Sequence, residues 1–167
     1  GICAPTLGAI AFVHSRSAGG EGHLEVAKNI YYTNKDYAHM VLSLKPFGCM
    51  PSTQSDGAQA AVVSRFSDII YLPVETSGEG DINAYSRVQM ALGEAKVKAQ
   101  KEFKAALEKA GVTVEELRAY IAEHPELKKP LQHVPHTKGV VGKAANFALH
   151  VAALMKKDSS RLEAVGA

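Results

Sequence analysis

Two short apolar runs, AHMVLSL (38–44) and DIIYLPV (68–74), each break into a polar, Gly-bearing loop, and each loop opens into a helical pattern. This repeated strand–loop–helix order constrains the fold more than any other feature. The roughly two dozen residues between the runs can hold a crossover helix, which needs about a dozen. The expectation is a right-handed, parallel β-α-β unit. Its helix would run from near Gly57 to about Phe66, capped by Ser55 or Asp56. Both strands would then end on one sheet rim, where ligands gather in open α/β sheets.

The chain has 167 residues, enough for one domain with a real core. Its net charge of +2, from 19 basic and 17 acidic residues, is too small to argue for nucleic acid. No apolar run reaches the length of a membrane span. The apolar first 13 residues mimic a secretory signal only weakly, lacking a charged start and a cleavage site. Because no initiator Met begins the chain, a fragment or a processed piece is expected. Cys3 and Cys49 are the only cysteines, which favours a reducing cytoplasm over a disulfide framework.

Along the chain, residues 1–13 read as strand or short helix. His23 to Tyr32 reads as a short helix, and 38–44 as a buried strand. Pro73 inside the second run argues for an edge or a strand end. Helical periodicity then holds from Ile82 to Ala110 and stops at Gly111, a natural C′ residue. TVEE (113–116) is a capping box for a further helix to about His124. Pro125 and Pro130 bracket a helical turn. A last helix spans Gly139 to Lys156, with Val140, Ala144, Phe147, Val151 and Leu154 as its stripe, and the tail after Asp158 should fray.

The chemistry-bearing residues cluster on the two loops. Cys49, after Gly48 and before Pro51, is a candidate metal ligand or nucleophile. The bland reading is a small buried apolar side chain. The ETSGEG loop (75–80) resembles a phosphate cradle in its glycines, but Glu75, Glu79 and Asp81 oppose an anion, and no P-loop or GxGxxG pattern is present. The seven histidines are scattered and read as structural or surface residues. Parallel strands would place Cys49, Ser52, Glu75, Ser77, Asn83 and Arg87 around one pocket. Asn83 and Arg87, four apart, share a helix face. The bland alternative has Arg87 bracing the loops through Asp56 or Glu75.

Four segments then carry a resemblance: GGEGHLEVAKNIYY (19–32), LKPFGCMPSTQSDGAQAAVV (44–63), LPVETSGEGDINAYSRVQMALGEAK (72–96) and GVVGKAANFALHVAALMK (139–156). Together they resemble the C-terminal region of the large activases of 2-hydroxyacyl-CoA dehydratases, the BadF/BcrA type fused to a dehydratase D-component-like domain. The resemblance implies an α/β fold, with a small parallel sheet in a three-layer Rossmann- or flavodoxin-like arrangement and a helix-rich C-terminal half. Residues 1–110 would carry the cysteine and Gly-rich loops, with 111–167 a helical extension packed on them as one unit. It further implies a 4Fe–4S cluster held by cysteines on separate loops. Cys49, in PFGCMPS, matches one of these, and the other cluster cysteines would lie upstream. Cys3 matches no such motif.

The ATP-binding activase domain has no counterpart in these residues, so the chain alone is not expected to hydrolyse ATP. The implied function is a contribution to an iron–sulfur electron-transfer site of an anaerobic acyl-CoA dehydratase system, located in the cytoplasm. On this reading Cys49 would be the metal ligand, and Ser52, Glu75, Ser77, Gly78, Gly80, Asn83 and Arg87 would line the cofactor site. Expected partners are upstream domains of the same protein, a dehydratase component, or a second copy. One alternative is a non-catalytic docking or oligomerisation module using the amphipathic helices 82–110 and 139–156. Another is a CoA- or phosphate-binding domain at the Gly-rich loop.

Overall fold

A computed structural model describes residues 20–66, 70–77 and 81–165. Backbone contacts divide the chain into two units, Gly1–Val97 and Lys98–Ala167. The first holds helix α1 (Gly22–Asn34), strand β1 (Met40–Pro46), helix α2 (Met50–Arg65), strand β2 (Ile70–Thr76) and the start of helix α3 (Asp81–Ala110). The second holds the rest of α3, helix α4 (Val114–Glu123), a 3₁₀ turn (Pro125–Lys128) and helix α5 (Lys143–Val165).

β1 and β2 pair in parallel, with Met40 opposite Ile70 and Lys45 opposite Glu75. The expected crossover therefore exists as a mixed α/β unit around a two-stranded parallel sheet among the described residues. Its helix starts earlier than the sequence suggested. α2 begins at Met50 with Cys49 as N-cap and Pro51 in the first turn. Proline fits there because its ring presets a helical φ and its missing N–H would have had no partner. Ser52 thus lies on a helix rather than in a loop, and Gly57 sits in the helix interior.

Side chains alternate across the sheet. Ile70, Leu72 and Val74 bury one face of β2. Their register partners on that face, Leu42 and Leu44, are exposed, so β1 is not the fully buried strand its apolar run suggested. The opposite face of β1 carries Ser43 and Lys45, and it turns toward α1 and α2. Those helices close over a small core of Val26, Ala27, Ile30 and Val62. Pro73 sits within β2, and its carbonyl accepts a bond from Arg87 at 2.9 Å. A strand proline belongs where the ladder needs no N–H, as the sequence indicated.

In the second unit, Ala110, Leu117, Leu127, Ala148, Val151 and Ala152 form the core. Gly111 ends α3 with φ of 69°, the left-handed stop read from the sequence. Thr113 and Glu116 make the expected capping box. α5 starts at Lys143, four residues later than expected. Gly139 adopts φ of 81°, and the stretch to Gly142 is held as a loop. Glu102 accepts from the Val141 and Gly142 amides at 2.6 and 2.7 Å. The Asn146 side chain bonds Thr137 N, Val140 O and Gly142 O. The helix also continues past Asp158 to Val165 instead of fraying there.

Candidate functional site

The carboxyl ends of β1 and β2 lie on one rim because the strands are parallel. Cys49 follows β1 after the turn residues Phe47 and Gly48. Its amide donates to Pro46 O at 3.1 Å, and its carbonyl accepts Thr53 N at 2.9 Å as the first bond of α2. The thiol is half-buried and free.

Ser52, one turn on, points back at the sulfur with its hydroxyl 3.5 Å from Sγ. The same hydroxyl lies 3.3 Å from Glu25 Oε1, in the first turn of α1. Ser55 Oγ approaches Glu25 Oε2 at 3.0 Å, and Ser43 Oγ approaches Oε1 at 3.4 Å. Three serine hydroxyls, from β1 and α2, thus surround one carboxylate from α1. The Gly22 backbone makes this convergence possible by lying directly against Pro51.

A second charged pair stands beside this cluster. Lys45 Nζ reaches both oxygens of Asp56, at 2.5 and 2.6 Å, although its side chain is only 5% exposed. Burial opposes the lysine charge, but the Asp56 hydrogen bond and charge, aided by Tyr71 and Glu75, hold its pKa above the ordinary value. Burial likewise pushes the Tyr71 hydroxyl upward; the Ser43 hydroxyl opposes this, and the Glu25 charge adds to it.

Of the six residues expected around one pocket, Cys49 and Ser52 come together directly. Glu75 sits opposite Lys45 in the register and is exposed, as are Ser77 and Asn83. Arg87 bonds the Pro73 carbonyl and not Asp56 or Glu75; Asp56 is taken by Lys45. Arg87 also lines a groove of about 320 Å³ with Ile70, Leu72, Met90 and Glu94. Gly78 and Gly80 lie outside the described residues.

Sequence reasoning missed Glu25, Ser43 and Lys45. The signal was present in LSLKP (42–46), where polar residues alternate with leucines in a strand. The partner that needs them, Glu25, is close only through the fold.

The second unit has its own cleft, about 590 Å³, between α4 and α5, lined by Tyr120, Glu123, His124, Met155, Asp158 and Arg161. Tyr120 donates to Asp158 at 2.5 Å and stacks on His124 with ring centroids 3.9 Å apart. Among the described residues no three His, Cys, Asp or Glu side chains are grouped to hold a metal ion, and no helix is long and apolar enough to cross a membrane. No family model matches the chain, and no curated protein or solved structure matches it either.

Proposed function

We propose that the rim around Cys49 supplies a single thiolate to a site completed by another polypeptide or by other domains, as in the C-terminal domain of an anaerobic acyl-CoA dehydratase activase. The observation that carries this reading is Cys49 at the N-cap of α2, on the carboxyl rim of a parallel sheet, with the Ser52 hydroxyl at its sulfur. A free sulfur fixed at one place on the rim, with a hydroxyl beside it, has the placement that a metal ligand or nucleophile requires.

The donor set does not fit a whole cluster. A 4Fe–4S centre takes four cysteine ligands, and the chain has two cysteines, of which Cys49 alone is among the described residues. The chain's own work is therefore to hold and orient one sulfur. The test is anaerobic iron–sulfide reconstitution of the full-length protein with its dehydratase partner, comparing wild type with Cys49→Ala. The reading expects iron and sulfide to fall in the variant; unchanged content removes the ligand role.

A docking role has one observation of its own. Leu44, Phe47 and Met50, which flank Cys49, are 62%, 74% and 70% exposed. Contiguous exposed apolar side chains mark interaction surfaces. On this reading the apolar fringe seats the partner that completes the rim. Phe47→Asp with Met50→Lys should weaken association with the dehydratase component at least tenfold in sedimentation or pull-down experiments, and undiminished association counts against it.

A further inference from the structure

Below the Glu25 cluster, the α1–α2 interface holds a second polar layer. Asn29 lies four residues after Glu25 on α1, and Gln59 four after Ser55 on α2, so each pair shares a helix face. Asn29 is 0% exposed and Gln59 2%. Asn29 Nδ2 donates to Gln59 Oε1 at 2.8 Å, in the core formed by Val26, Ala27, Ile30 and Val62. The remaining atoms, Asn29 Oδ1 and Gln59 Nε2, have no partner.

Two amides in an apolar core are a poor source of stability. An unpaired buried polar atom is costly, and apolar residues of like volume often serve as well or better. What a buried polar pair does supply is discrimination between alignments, as a single buried asparagine does in helical coiled coils. The two helices run parallel, with contacts advancing in step from Gly22 against Pro51, through Glu25 against Ser55, to Asn29 against Gln59. Sliding one helix by one turn, about 5.4 Å, would part the two amides: in one direction Asn29 meets Val62 and Gln59 meets Val26, and in the other Asn29 meets Ser55 and Gln59 meets Thr33. It would also separate Glu25 from Ser52 and Ser55.

We infer that Asn29 and Gln59 form a register lock that selects the one alignment of α1 on α2 in which Glu25 meets the serines beside Cys49. The lock rests on helix geometry and burial and is independent of what Cys49 binds.

The test uses two variants of the full chain. N29L/Q59L removes the polar pair, and N29Q/Q59N exchanges it while keeping both amides. The reporter is the nuclear Overhauser contact between Gly22 and Ser55, with thermal melting alongside. The expected result is an apolar variant that melts no lower than wild type yet loses at least half of that contact, while the exchanged variant keeps it. An apolar variant that retains the full contact overturns the lock. If the apolar variant does not fold, the exchanged one decides: folded with the contact intact, it upholds the lock. Unfolded or without the contact, it overturns the lock, because shape and not polarity then sets the alignment.

Discussion

Gly22 in α1 lies against the carbonyl oxygen of Pro51 in α2, so closely that a Cβ at Gly22 would overlap that oxygen and crowd Ser55. Backbone meets backbone at the point where Glu25, one turn further on, enters its serine cluster. Gly22→Ala should therefore push the helices apart, at a cost of about 1–3 kcal/mol for overpacking. Gly57, inside α2 with nothing within 4 Å of its Cβ position, is the control. Gly57→Ala should raise stability by about 0.5–1 kcal/mol through helix propensity. Urea denaturation of both variants checks the contrast, and equal effects would refute it.

The Lys45–Asp56 pair predicts an asymmetric result. Asp56→Asn leaves the buried ammonium with a neutral partner and should cost about 2 kcal/mol. Lys45→Met frees only the more exposed carboxylate, and should cost less than half of that. Because the folded lysine pKa is raised, its contribution is complete below the unfolded value near 10.4 and is lost as pH rises through the folded one. The stability difference between wild type and Lys45→Met should thus shrink above pH 10, measured by chemical denaturation.

Glu102 secures the start of α5 by accepting two backbone amides. Glu102→Ala should destabilise the second unit by about 2 kcal/mol, the usual worth of hydrogen bonds to a charged group. Faster amide exchange at Val141 and Gly142 is the expected signature, whereas Glu102→Gln should retain part of the protection.

The Tyr120 hydroxyl is pushed up to about 12, first by its bond to Asp158, with burial and nearby negative charge adding to it. A raised folded pKa means that this stabilisation is complete below the unfolded value near 10 and disappears between 10 and 12. Ultraviolet titration should show Tyr120 ionising late, alongside the raised Tyr71, and Asp158→Asn should bring Tyr120 alone back toward the ordinary value. Tyr120→Phe should cost about 1 kcal/mol at neutral pH and nothing further above pH 12.

Local chemistry by itself determined much of this chain. The Gly111 stop, the Thr113–Glu116 box and the place of Pro73 follow from φ preferences and caps, which act within a few residues, and the parallel pairing of the two apolar runs follows from the length of the segment that joins them. The start of α2 could have been read the same way, since Pro51 favours a first turn. Only the tertiary structure decided what surrounds Cys49. Glu25, Ser43 and Ser55 are 18 and 30 residues apart in their contacts, and nothing in the spacing of those residues signals a shared carboxylate. Lys45 reads as a surface cation until the β1 register turns it inward to Asp56. Leu42 and Leu44 read as core until the sheet leaves their side of β1 open. Periodicity says which residues share a face, but which face is covered depends on how helices pack, through contacts between residues distant in the chain.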